Sequence, residues 1–282
     1  MHPDGAELSG AELSGAELSG AELSGAELSG AELFGADSQR RVAELTGSLA
    51  AARARLARAA EAAGRTVEEI ALLPVTKFFP ASDVAILWRL GCRAFGESRE
   101  QEASAKIAEF DGLVGDSIEA RWHMIGGIQS NKAKYIARWA DTVHSVYTDK
   151  VVTALDRATA TALTAGRRDR LRVFVQISLD GDGQRGGVDI GDPRAVDRIS
   201  AQVADSAALE FVGLMAIPPL GADPDSAFAA LAAEHRRVLI DHPAATELSA
   251  GMSGDLDAAV RHGSTCVRVG TAFMGQRPLT SP

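Results

Sequence analysis

The stretch IALLPVTKFFPASDV, residues 70–84, decides how the chain is read. An apolar run leads straight into a single lysine, Lys77, and Pro80 follows close behind. The residues up to Lys77 read as a strand buried on both faces, and those after Pro80 as the start of a helix. A cation at the end of a fully buried strand needs a chemical reason.

The same pattern repeats along the chain. After EIALLPVTK, ending at Lys77, come CRAFGES (92–98), RWHMIGG (121–127), DTVHSVY (141–147), RLRVFVQISL (170–179), LEFVGLMAIP (209–218), ATELSAGMS (245–253) and TCVRVGTAF (265–273). Helical stretches separate them at 81–91, 99–110, 149–165, 193–207, 225–241 and 254–262. Strands buried on both faces and spaced by helices indicate a parallel sheet. Eight such units within residues 39–282 predict an α/β fold, a single (β/α)8 TIM barrel. An open doubly wound sheet is the competitor, but no G-x-G-x-x-G follows the first strand. Residues 38–64 predict an N-terminal helix, with Ser38 as N-cap and Gly64 as its stop.

Residues 1–38 are read as a separate, disordered acidic tail. AELSG occurs five times from Ala6 to Gly30 and AELFG follows. A leucine every fifth residue fits neither a helical stripe nor strand alternation. The A-x-L-x-x units resemble the pentapeptide-repeat solenoids, but six copies bury no core, so a flexible extension is expected. Eight of the 38 acidic residues and none of the 29 basic ones lie in this tail. The body is therefore near neutral, and neither it nor the arginines of AGRRDRLR (165–172) predict a nucleic-acid partner. Cys92 and Cys266 form no metal or disulfide pattern, and no stretch is long and apolar enough for a membrane helix. A cytoplasmic location without a secretion signal is expected.

In a barrel the chemistry sits where the strands end. The seventh strand runs into GMSGD, with Ser253 and Gly254 ahead of a predicted helix, and the eighth carries Arg268 and ends at Gly270 and Thr271. Two such loops make a phosphate cup, since backbone N–H groups point outward there and a glycine admits an anion. A lysine at the first strand's end, facing that cup, suggests a Schiff base with an aldehyde, its ammonium form disfavoured by burial. Pyridoxal 5'-phosphate (PLP) carries both an aldehyde and a phosphate, and PLP sites place an Asp or Arg at the pyridine nitrogen. Taken singly, Lys77 reads better as a rim cation and Arg268 as half of an ion pair inside the barrel; taken as a set, they favour the cofactor.

The blocks LLPVTKFFPASDV, AFGESREQE, WHMIGGIQSNK, VFVQISLDGDGQRGG, FVGLMAIPP and LSAGMSGDLDAAVRHGSTCVRVGTAFMG resemble the pyridoxal phosphate homeostasis protein family in sequence and order, over about residues 40–277. The resemblance implies a single-domain PLP barrel, similar to the N-terminal domain of alanine racemase. It implies Lys77 as the Schiff-base lysine, Arg268 at the pyridine nitrogen, and Ser253, Gly270 and Thr271 at the phosphate. It implies PLP storage or delivery and amino-acid and keto-acid balance, without an established turnover reaction; no catalytic residue is assigned, and a monomer with PLP-requiring apoenzymes as partners is expected. The chain departs from the family pattern at Ser98 (usually Asn), Gly127 (usually His) and Phe79 (often Lys).

A racemase needs a base on each face of the substrate carbon. Only about ten residues follow the eighth strand, so no second domain is expected to supply one. Tyr135 and Tyr147 are assigned to packing, which leaves His123 as the candidate base for the alternative reading, a PLP-dependent racemase or lyase. An Arg at the pyridine nitrogen also weakens the ring as an electron sink, because guanidinium is always charged and only donates. A third reading keeps the phosphate cup without PLP.

Overall fold

The computed structural model describes residues 36–115 and 120–275, so the repeat expected to be flexible lies outside the described residues apart from the start of the first helix. The chain divides into two units, Met1–Arg40 and Arg41–Pro282. The first helix, α1 (Ala36–Ala62), begins two residues before the expected cap Ser38. It stops where expected, at Gly64, whose φ of 66° is left-handed.

Eight parallel strands form the barrel: β1 (Ala71–Pro74), β2 (Ala94–Glu97), β3 (Arg121–Met124), β4 (Thr142–Val146), β5 (Leu171–Ser178), β7 (Leu209–Ala216), β8 (Glu247–Ser249) and β9 (Cys266–Val269). They run in the order β1-β9-β8-β7-β5-β4-β3-β2, and a two-residue strand, β6 (Val188–Asp189), adds onto β5. A parallel bridge between Val75 and Gly96 brings the two ends of this order together. There the Thr76 amide donates to the Gly96 carbonyl at 3.0 Å. The helices between strands are α2 (Ala81–Arg89), α3 (Glu100–Val114), α4 (Ala133–Trp139), α5 (Asp149–Thr164), α6 (Pro193–Asp205), α7 (Pro224–Asp241) and α8 (Leu256–Arg261), and α9 (Thr271–Met274) follows β9.

Four details differ from the sequence reading. Strand β1 gives way at Pro74 and Val75 rather than at Lys77, because the chain turns there, with the Phe79 amide bonded to the Thr76 carbonyl at 3.1 Å. Helix α4 was not among the expected helices, and neither was β6. Tyr135, expected to pack, is 37% exposed on α4.

Outward-facing strand residues and the inner faces of the helices make the main core. Leu45, Leu49 and Leu56 of α1 join one part of it with Phe95, Phe110 and Trp122, and Val173, Leu214 and Leu248 belong to the other. Burying such side chains contributes about 1.5–3 kcal/mol each. Phe174, Val212 and Met215 form a separate small apolar cluster. Gly213 allows β7 and β8 to pair, since a Cβ there would lie 1.7 Å from the Glu247 carbonyl oxygen. Among the described residues no helix is long and apolar enough to cross a membrane.

Candidate functional site

The strand order sets β8, β9, β1 and β2 side by side, so the loops after them share one stretch of the barrel rim. Those loops carry Ser253, Gly270 with Thr271, and Lys77. The Val75 amide donates to the Val269 carbonyl at 2.9 Å, and the Arg268 amide donates to the Gly251 carbonyl at 2.9 Å. These bonds tie the expected phosphate loops to each other and to the turn that bears Lys77. Thr271 opens α9, but its side chain lies outside what the structure describes.

Lys77 is half-buried rather than enclosed. Its Nζ lies 5.6 Å from the ring centroid of Phe78, and the Arg99 guanidinium approaches the same ring at 5.6 Å. Phe78 has φ 70°, the one non-glycine residue with positive φ among the described residues. A bulky residue held there is a strained turn, of the kind that collects at functional sites. On the other side of Lys77 stands Thr76, fully buried. Its hydroxyl donates to Glu97 Oε1 at 2.6 Å and its carbonyl accepts from Lys106 Nζ at 2.8 Å. Lys106 also donates to Glu97 Oε1 at 2.7 Å, while Glu97 Oε2 is buried without a partner. Burial raises the Glu97 pKa, against the opposing pull of Lys106 and Thr76.

The phosphate loops are shaped by their glycines in two different ways. Gly251 has φ 91°, and a Cβ there would meet Ala259 Cβ at 2.5 Å, so protein packing demands glycine. At Gly270 a Cβ would touch Val75 at only 3.5 Å, an ordinary contact. Packing leaves that position open, and its bareness suits a ligand that comes close to the backbone. Ser253 is half-buried, and its carbonyl accepts from Arg55 Nη1 of α1. The Met252 amide of the same loop is taken by Asp255 Oδ1 at 2.6 Å.

Arg268 points into the barrel and is 4% exposed. Nη1 donates to Ser249 Oγ at 2.5 Å and Nη2 to the Ala216 carbonyl at 3.0 Å. The sequence alternative, an ion pair inside the barrel, is not what forms: among the described residues no carboxylate pairs with this guanidinium. Burial lowers its pKa, but guanidinium keeps its charge. A buried cation with donors to spare and no anion fits a ligand that brings an acceptor.

The polar interior continues beyond Arg268. Ser249 Oγ lies 2.9 Å from His144 Nδ1, and His144 Nε2 lies 3.0 Å from His123 Nδ1. Below them Arg172 pairs with Glu247. Burial, and after it Arg172 and Arg121, pushes the His123 pKa down to about 3. His144 is also held well below its usual range, chiefly by burial. Both rings are therefore neutral. At the mouth, Arg185 straps the loop after β5 to the loop after β7, donating to the Pro218 carbonyl at 2.7 Å.

Ser249, His144, Glu97 and Lys106 were not singled out from the sequence. For His144 the signal was available in DTVHSVY, where polar residues interrupt a strand whose five residues all prove buried.

Residues 48–278 match the family model for the alanine racemase N-terminal domain, and residues 4–37 match the pentapeptide repeat model. The chain is 64% identical over 248 residues to the pyridoxal phosphate homeostasis protein of Mycobacterium tuberculosis (strain ATCC 25618 / H37Rv), covering 86% of this chain and 96% of that protein. It is 60% identical over 247 residues to the protein of the same name from Mycobacterium leprae (strain TN), with the same coverage. Among solved structures it is similar to PipY of Synechococcus elongatus PCC7942 with PLP bound, at 31% identity and a TM-score of 0.69, over 82% of this chain and 100% of that one.

Proposed function

This chain belongs to the pyridoxal phosphate homeostasis protein family, built on the alanine racemase N-terminal domain fold, and from that premise we propose that it binds PLP as a Schiff base on Lys77. The single observation that carries the reading is the convergence at one rim. Lys77, Gly270 and Ser253 stand at neighbouring strand ends, around a buried Arg268 that pairs with no carboxylate among the described residues. PLP, when bound, supplies an aldehyde for an amine, a phosphate dianion and a pyridine nitrogen. Lys77 would hold the aldehyde end, and the Gly270, Thr271 and Ser253 loops would hold the phosphate. Arg268, which can only donate, would face the pyridine nitrogen and favour its unprotonated form.

The role that follows is PLP homeostasis in the cytoplasm: storage, or delivery by a monomer to PLP-requiring apoenzymes, without a robust turnover reaction. The alternative, a racemase or lyase, needs a second base. His123 suits that role poorly, since Nδ1 is taken up by His144 and its pKa lies near 3.

The test is a PLP titration followed by visible absorption, with wild type beside Lys77→Ala. A band in the wild type that is absent in the variant supports the reading. Equal spectra in the two proteins would rule out Lys77. Turnover of a free amino acid by loaded wild type would favour the alternative.

A further inference from the structure

We propose that His144 is a positioning residue: acting through Ser249, it fixes the orientation of the Arg268 guanidinium toward the pyridine nitrogen. This rests on the reading that PLP occupies the barrel mouth.

The hydrogen bonds run in one direction. Guanidinium only donates, so Ser249 Oγ accepts from Arg268 at 2.5 Å. The serine has one hydroxyl proton of its own. An imidazole nitrogen is a stronger acceptor than the Cys266 thiol, the other neighbour of that hydroxyl, so the proton goes to His144 Nδ1 at 2.9 Å. A neutral His144 then carries its proton on Nε2 and donates it to His123 Nδ1 at 3.0 Å. The ring cannot swing away, since it is fully buried and packed against Phe174, the rings tilted by 30° with centroids 4.6 Å apart. A serine held from both sides has one rotamer left for its oxygen, and Arg268 has one place to aim Nη1. The second nitrogen, Nη2, is fixed independently by the Ala216 carbonyl. The whole device sits in the barrel interior, where a TIM barrel ordinarily stacks branched aliphatic side chains.

Two readouts test this. The first needs no PLP. In the apo-protein, 15N NMR of the histidine rings should show His144 protonated on Nε2 and bare on Nδ1, and the opposite tautomer would overturn the chain. The second compares wild type, His144→Phe and His144→Gln after PLP loading. His144→Phe keeps the packing and removes the bonds, and His144→Gln restores an acceptor. We expect His144→Phe to form the Lys77 adduct, detected by mass after reduction, but with a shifted absorption maximum and PLP release faster by about tenfold. His144→Gln should recover part of both. Wild-type spectrum and release rate in folded His144→Phe would overturn the proposal. If His144→Phe fails to fold, Ser249→Ala breaks the link without disturbing the aromatic layer and carries the same expectation. A wild-type protein that forms no adduct overturns the PLP reading itself, and with it this inference.

Discussion

Lys106 Nζ lies 2.7 Å from Glu97 Oε1 in the barrel wall, and both groups are bonded to Thr76, the residue before Lys77. The lysine is 9% exposed and the carboxylate fully buried. Removing one partner of such a pair leaves an uncompensated buried charge. Lys106→Met should therefore destabilise the fold by about 3–5 kcal/mol in urea unfolding. Replacing both partners, Glu97→Leu with Lys106→Met, should recover most of that loss, because an apolar pair needs no desolvation. A double variant no better than the single would show that the pair itself holds the wall together.

Acidification should weaken the fold through His144. An unfolded histidine takes up a proton as the pH falls below about 6.5, and folded His144 does not, since its pKa is held well below that value. The unfolded state then binds more protons, so stability falls with falling pH, by up to about 1.4 kcal/mol per pH unit for each such ring. Glu97, with its raised pKa, acts in the opposite sense: its contribution favours folding at low pH and is lost as the pH rises through the carboxylate range. Denaturation midpoints measured between pH 7 and 4.5 should decline in wild type and decline less steeply in His144→Phe. Parallel slopes would mean that the ring titrates in the fold.

Two glycines separate stability from binding. Gly213→Ala would drive a methyl group into the Glu247 carbonyl, so strands β7 and β8 must part. That substitution should cost more than about 3 kcal/mol, seen as a large drop in Tm. Gly270→Ala meets only ordinary contact with Val75. Its Tm should stay near that of wild type while PLP affinity, read by titration, falls. A Gly270→Ala protein with normal affinity would remove the phosphate assignment from this loop.

The barrel was legible because its strands are buried on both faces and its helices are amphipathic. Hydrophobic pattern alone placed all eight barrel strands, from the one ending beside Lys77 to the one carrying Arg268. Helix α4 was not, since SNKAKYIARW combines a short apolar stripe with a dense basic face, and only burial of Ala133, Ile136 and Ala137 reveals it. The site residues at strand ends could be read from position. The Ser249–His144–His123 chain could not, because it joins strands far apart in sequence, and the Glu97–Lys106 pair, though only nine residues apart, depends on how β2 and α3 pack. Spacing along the chain carries no trace of such cross-barrel contacts.

The chain has five lysines: Lys77, Lys106, Lys132, Lys134 and Lys150, of which Lys106 is buried against Glu97. The most direct measurement loads the protein with PLP at substoichiometric amounts, reduces the linkage with borohydride, and maps the adduct by peptide mass spectrometry. A stable adduct confined to Lys77 is the predicted result. An adduct spread over the exposed lysines, or absent from Lys77, would contradict a PLP site at the barrel mouth.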